Sequence, residues 1–191
     1  KLLLQELLPK MILSAFFPKT MRWGDYNLRY VRPLKWLVSL WDDELLAFDL
    51  EMKAADRISK GHRFLSTQDI VISSVDTYFD DLRKAFVIVD QHERLDLIKS
   101  QLKAQDEQNH VKTIIDEDLL TEVLFLVEYP EVLMGDFDSA YLKIPQGLVV
   151  TPMKDHQRYF PVADEEGHLL NHFVTVRNGT KDYIDVVKKG N

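Results

Sequence analysis

A chain of 191 residues with 46% hydrophobic and 29% charged residues has apolar material for one good core, or for a domain with an appendage, and its composition is that of a soluble globular protein. It contains no cysteine, which excludes a disulfide framework and a thiolate zinc site and suits a reducing, cytoplasmic compartment. The net charge of −7 argues against a free-standing nucleic-acid binder, although the distribution of charge rather than its sum sets local sites.

The first residue is Lys1 rather than methionine, as expected of a piece cut from a longer protein. Residues 2–8 are leucine-rich but interrupted by Gln5 and Glu6, too short to span a bilayer, and no small-residue cleavage site follows them. They predict a short helix, and Pro9 opens a second helical piece over 9–17 that ends at Phe17-Pro18. Arg22-Trp23-Gly24-Asp25 reads as a turn before a strand over 26–31. Apolar runs at 34–40 and 45–50 flank Asp42-Asp43 as a hairpin, and 70–73 is a further short strand. Val75, Tyr78, Phe79, Leu82 and Phe86 recur at helical spacing behind a Ser74 cap and predict a core stripe. After a β-branched run at 87–89, Asp90 and Glu93 form a capping box for a helix reaching Asn109, with the stripe Leu95, Ile98 and Leu102. Its polar end, 105–110, is expected to project into solvent. A helix over 117–128 is apolar on most sides, predicts burial, and is stopped by Pro130. Strands are expected at 132–134, 141–144, 148–150, 159–163 and 170–177, with turns at Glu166-Gly167 and Asn178-Gly179 and a closing helix over 182–189. No repeat, low-complexity tract or flexible linker interrupts this order. The expected fold is α+β, a mixed, mainly antiparallel sheet packed with helices, divided as a helical arm (1–24), one domain (25–179) and the start of a helical connection (180–191).

The chemistry-bearing patterns are few. Neither Gly-x-Gly-x-x-Gly, Gly-x-x-x-x-Gly-Lys nor Gly-x-Ser-x-Gly occurs. Of the six histidines only His168 and His172 are four apart, on a predicted strand, so no metal site is expected. Acidic residues gather at 42–44, 76–81, 116–122 and 164–166, and cations gather elsewhere. Lys53, Arg57, Lys60, His62 and Arg63 surround Gly61, with Phe64 beside them. Arginine there suits paired hydrogen bonds to phosphate, and His62 or Phe64 offers a stacking face; a solvated turn with Phe64 in the core fits equally. Residues 151–162 hold Lys154, Asp155, His156, Gln157, Arg158 and Tyr159 consecutively between apolar runs. Pro152 disfavours a continuing central strand, so the prediction is strand, polar turn, strand. Such a tip fits contact with an anion or a polar polymer, and it fits a plain solvated turn.

Several segments are more specific. Phe17-Pro18-Lys19-x-Met21-Arg22-Trp23-Gly24, Tyr30-Val31-Arg32-Pro33-Leu34 and Gly61-His62-Arg63-Phe64 are followed in order by Leu126-Val127-Glu128-Tyr129-Pro130. Met153-Lys154-x-His156-Gln157-Arg158-Tyr159-Phe160-Pro161-Val162 and Phe173-Val174-x-Val176-x-Asn178 complete the set. Together they resemble the β subunit of the bacterial-type heterotetrameric glycyl-tRNA synthetase over nearly the whole chain. The resemblance implies an enzyme that joins glycine to its tRNA with ATP and magnesium, whose adenylate-forming site lies on a separate α subunit of an α2β2 tetramer. It implies that the β subunit is a tRNA-handling scaffold, with an HD-like and an anticodon-binding domain beyond this segment. The segment itself would be B3/B4-like, similar to the module that edits in the phenylalanyl enzyme, although likeness of fold does not carry activity. Gly190-Asn191 resembles the start of the next conserved segment, so the chain is expected to end at a domain boundary. Two departures stand out: 105–110 as a variable surface, and family glycines replaced near 46–50.

The resulting expectation is a non-catalytic module of glycine–tRNA ligase, inactive in isolation, cytoplasmic, bound to no membrane and holding no cofactor or metal itself. Its partners would be the α subunit, tRNA(Gly) and the remaining β-subunit domains. The candidate tRNA contacts are Arg22, Arg57, Lys60, His62, Arg63, Lys154, His156, Gln157 and Arg158. Two alternatives stay open. One is hydrolytic editing of mischarged tRNA around His156 or His62. The other is a scaffold in which Arg32, Arg63 and Arg158 bind carboxylates and hold neighbouring domains.

Overall fold

Residues 2–14 are rich in leucine, a strong helix former, and in the computed structural model, which describes residues 1–182, they form a single helix, α1 (Leu2–Ser14). The two expected pieces are one, because Pro9 forfeits only the bond to the Gln5 carbonyl, and α1 has no buried residue, so that carbonyl is not sealed in an apolar core. The chain divides into two units, Lys1–Ala85 and Phe86–Asn191.

The first unit is built of short antiparallel pairs. Strands β1 (Met21–Arg22) and β2 (Arg29–Tyr30) pair around a turn in which Gly24 has φ +61°, with the Trp23 indole N–H donating to the Tyr30 carbonyl at 3.0 Å. The strand expected over 26–31 is cut to two residues. The Glu51 carboxylate accepts from the Asn27 and Leu28 amides at 2.6 and 2.8 Å, which takes them from any ladder. β3 (Leu40–Trp41) and β4 (Glu44–Leu45) form the hairpin expected around Asp42-Asp43. β5 (Asp49–Leu50) pairs with β6 (Lys53–Ala54), and β7 (Ile58–Lys60) with β8 (Asp69–Val71). Leu46, Leu50, Met52, Ala55, Ile72 and Leu82 are buried in this unit. Ser74 caps as expected, accepting from the Asp76 amide, but a 3-10 turn (Val75–Thr77) precedes α2 (Tyr78–Lys84). Its tighter pitch breaks the 3.6-residue stripe, so only Leu82 of the expected row is buried, and Phe86 lies beyond the helix at φ +60°.

The second unit holds the larger core. Asp90 accepts from the His92 and Glu93 amides at 2.7 and 3.0 Å and opens α3 (Gln91–Asn109), which buries Ile98 and Leu102 as predicted. Residues 107–110 at its far end are exposed as expected, while Asp106 before them accepts from the Thr113 amide and hydroxyl at 3.0 and 2.6 Å and ties the helix to β9 (Lys112–Thr113). Asp116 caps α4 (Glu117–Leu126). This helix buries Leu119, Leu120, Val123 and Leu124 but leaves Phe125 and Leu126 exposed, so it covers the core with one face only. It ends well before Pro130, which is the first residue of β10 (Pro130–Asp136). With β11 (Phe160–Ala163) and β12 (Leu169–Asn178) these strands form an antiparallel sheet in the order β10-β12-β11-β9. The register runs from Pro130 opposite Asn178 to Asp136 opposite His172. Gln101 of α3 covers the β10 edge, its amide donating to the Pro130 carbonyl at 3.1 Å and accepting from the Val132 amide at 2.7 Å. Ile98, Leu102, Leu120, Val132, Phe160, Val162 and Val174 fill the space between helices and sheet.

Two expected strands are helical instead. Residues 141–144 fall largely in a 3-10 turn (Ser139–Lys143), and 148–150 lie inside α5 (Gln146–Asp155). Short apolar runs satisfy either period, and helical spacing here lets Met153 reach the core. The strand–turn–strand expected over 151–162 is therefore helix then strand, with Pro152 inside the helix. The α+β character and the antiparallel pairing are as expected. The predicted helix over 182–189, and with it most of the 180–191 connection, lies outside the described residues. Among the described residues no helix is long and apolar enough to cross a membrane.

Candidate functional site

The basic cluster of the first unit is a turn fixed from within. His62 is 1% exposed. Its backbone N–H donates to the Ala85 carbonyl and its carbonyl accepts from Ser66, both at 2.9 Å. Its Nδ1 accepts from the Phe64 and Leu65 amides at 3.3 Å each. A nitrogen that accepts two N–H groups carries no proton, which assigns the hydrogen to Nε2. Nε2 is buried with no partner among the described residues. Gly61 has no room for a side chain, since a Cβ would stand 2.7 Å from Ala85 Cβ and from Ser66. His62 is thus the pin of the turn, and its ring offers neither an exposed donor nor a free base at Nδ1.

Outside that pin, Phe64 is 79% exposed, and the Arg63 guanidinium lies 5.7 Å from its ring centroid. Among the described residues no carboxylate pairs with Arg63. Its neighbours are engaged: Lys60 pairs with Asp69 across β7 and β8, and Arg57 donates to the Ser73 and Asp43 carbonyls at 3.4 and 3.0 Å. Arg22 on β1, Arg32 and Lys53 are exposed.

In the second unit Lys154 and Arg158, both half-buried, are engaged by carboxylates of the same unit. Lys154 pairs with Asp116, the cap of α4. Arg158, at φ +59°, donates from Nε to Glu122 at 2.6 Å and from Nη1 to the Lys154 and Asp155 carbonyls, closing the C-terminus of α5. Together they clamp α5 to α4. The groove they line, about 370 Å³, holds Asp116, Asp118, Glu122 and Asp155 against these two cations, so its field does not favour a polyanion. His156 and Gln157 are exposed. Gln157 stands at a separate apolar groove of about 460 Å³, where Tyr159 stacks on Phe173 with centroids 4.3 Å apart. Burial pushes the Tyr159 hydroxyl above its ordinary pKa.

The Lys154 ammonium holds the Asp116 carboxyl below its ordinary value, and Asp116 holds Lys154 above its own. The aspartate contribution is present above about pH 3.9 and lost as pH falls through the lowered folded value; the lysine contribution is present below about pH 10.4 and lost as pH rises through the raised one. Thermal melts of Lys154→Met beside the parent should show a parental advantage that is level from about pH 5 to 9 and disappears toward both extremes. An advantage undiminished in strong acid would refute the pair.

Asp164, Glu166 and His168 also converge, with ligand atoms within 4.8 Å of one another. Asp164 accepts there from the His168 and Glu166 amides at 2.8 and 3.0 Å, and the first of these bonds is the main cause of its lowered pKa. The cluster closes the β11–β12 hairpin.

One residue that organises this unit stands in the sequence as a turn former and as the end of a motif, with no role attached to it. Asn178 Oδ1 accepts from the Glu128 and Tyr129 amides, both at 2.9 Å, and the Glu128 carbonyl accepts from Ile88. These bonds join the Glu128-Tyr129-Pro130 segment to the end of β12. The sequence shows the cations and, separately, the acidic run 116–122, but not that Asp116 and Glu122 are the partners of Lys154 and Arg158.

The family described as "Glycyl-tRNA synthetase beta subunit" matches over residues 1–191. Proteins named glycine–tRNA ligase beta subunit are similar to this chain in Clostridioides difficile strain 630 (46% identity over 188 residues) and Bacillus subtilis strain 168 (46% over 190), each covering 98% of the chain. The one in Streptococcus agalactiae serotype Ia is 49% identical over 182 residues, or 95% of the chain. The chain spans only 27–28% of the length of these relatives.

Proposed function

We propose, for a chain that belongs to the glycyl-tRNA synthetase beta subunit family, that it is a non-catalytic segment of a glycine–tRNA ligase and contributes a tRNA contact and structural support to that enzyme. ATP and magnesium act at the α subunit in this reading, the α2β2 assembly works in the cytoplasm, and the segment alone does not ligate. The name of the related proteins, glycine–tRNA ligase beta subunit, supplies the reaction in this reading. The observation that supports the contact is Arg63: exposed, without a carboxylate partner among the described residues, and held on a turn that the buried His62 fixes. Arg22 and His156 are exposed supporting cations or donors, whereas Lys60, Lys154 and Arg158 are already engaged by carboxylates and Arg57 by carbonyls. The clamp of α5 on α4 favours the structural share of the proposal for Lys154 and Arg158.

The test is binding of tRNA(Gly) by the intact α/β enzyme over a salt series. Arg63→Ala is expected to weaken binding and to reduce the slope of log affinity against log salt by about one, the loss of a single phosphate contact. Arg158→Ala is expected to leave that slope unchanged and to lower thermal stability. Equal affinity and equal slope for Arg63→Ala and the parent would remove the contact from this turn.

A further inference from the structure

We propose that the Arg63-Phe64 tip is a stacking platform for one unpaired RNA nucleotide, the base lying on the Phe64 ring and an adjacent phosphate on the Arg63 guanidinium; this rests on the tRNA-contacting reading above. The first observation is exposure. Phe64 is 79% exposed, so the guanidinium 5.7 Å from its centroid leaves most of the ring open.

The second observation is rigidity. A single exposed apolar side chain is ordinary on a protein surface. This one differs in how its backbone is held. The amides of Phe64 and Leu65 both end on His62 Nδ1, the Ser66 amide on the His62 carbonyl, and the His62 amide on the Ala85 carbonyl. Gly61 at the base of the turn admits no side chain. The ordering that binding would otherwise require is present before any ligand arrives, which favours affinity from a small contact.

The chemistry then selects the ligand. Every nucleobase has a π-face, and stacking on an aromatic side chain tolerates any sequence. Paired bases inside a duplex have no free face, so the ligand is single-stranded: a loop, a bulge or an end. Arg63, without a carboxylate partner among the described residues, supplies the cation for the phosphate that accompanies such a base.

The experiment uses the intact α/β enzyme with Phe64→Ala, Phe64→Leu, Phe64→Trp and Arg63→Ala. It reads tRNA(Gly) affinity and α–β assembly by sedimentation, with an unstructured oligouridine and a blunt RNA duplex as competitors. Phe64→Ala and Phe64→Leu are expected to weaken tRNA binding about tenfold, and Phe64→Trp to keep it. Oligouridine should compete against the parent and lose its effect with Phe64→Ala; the duplex should not distinguish them. Full affinity in Phe64→Leu would overturn stacking in favour of a merely apolar contact. Loss of assembly in Phe64→Ala would assign the ring to a protein partner and overturn the proposal. A defect in Arg63→Ala without one in Phe64→Ala would overturn stacking while leaving the tRNA contact standing. Full affinity in both would remove the contact and the stacking site together.

Discussion

Phe160→Ala is expected to destabilise the second unit by about 3–5 kcal/mol, the range for removing a fully buried aromatic side chain from a packed core. Phe160 is 0% exposed and lies among Ile98, Leu102, Leu120, Val123, Val162 and Val174. It opens β11, where it stands opposite Val174 of β12, and further along the strand Val162 and Ala163 stand opposite Thr113 and Lys112 of β9, so the backbone around it is held by ladder bonds and resists collapse into the void. The cavity therefore stays open and the lost contacts are not regained. Urea unfolding of the full β subunit, read by a probe in this unit, checks the value; a loss below about 1 kcal/mol would place the ring outside the core. Phe64→Ala is the internal control. The same chemical change at an exposed ring should shift stability within about 0.5 kcal/mol.

That contrast marks what the sequence made legible. The helix behind Asp90 was readable because its cap and its stripe are local, three or four residues apart, and both point to the same element. The strands around 132–134, 159–163 and 170–177 were readable as β-rich runs between turn dipeptides, and they form the sheet. Residues 141–144 and 148–150 were misread because three apolar residues fit a strand and one helical turn equally, and Pro152 added weight to the wrong side. The strand over 26–31 was lost to Glu51, a carboxylate more than twenty residues away that claims two of its amides.

The same physics decided the candidate site. Which residues carry charge is written in the sequence, but whether a charge is spent depends on partners brought by the fold. Lys154 and Asp116 are 38 residues apart, and Arg158 and Glu122 are 36 apart. No local pattern announces such pairs. His62 shows the reverse case: a histidine beside an arginine looks like part of a contact, yet its backbone bonds turn it inward and leave Arg63 and Phe64 outside.

Gly135→Val should cost about 1–3 kcal/mol through overpacking, and the cost should depend on Phe173. Gly135 sits in β10 directly opposite Phe173 of β12. A Cβ built at Gly135 would stand 2.4 Å from the Phe173 ring, nearer than carbon atoms approach without displacement. The ring cannot retreat easily, because Tyr159 stacks against it with the two planes 10° apart. The strand must shift or the stack must open, and either change reshapes the groove lined by Phe137, Tyr141, Leu148 and Tyr159. Phe173→Leu removes the obstructing atoms at a cost of its own, so Gly135→Val in that background should destabilise less than it does alone. A double-mutant cycle on the full β subunit measures the difference, and the expected coupling is at least about 0.5 kcal/mol. Strict additivity would mean that the glycine is kept for its backbone. Its ordinary strand conformation, outside the left-handed region that favours glycine, argues for the ring instead.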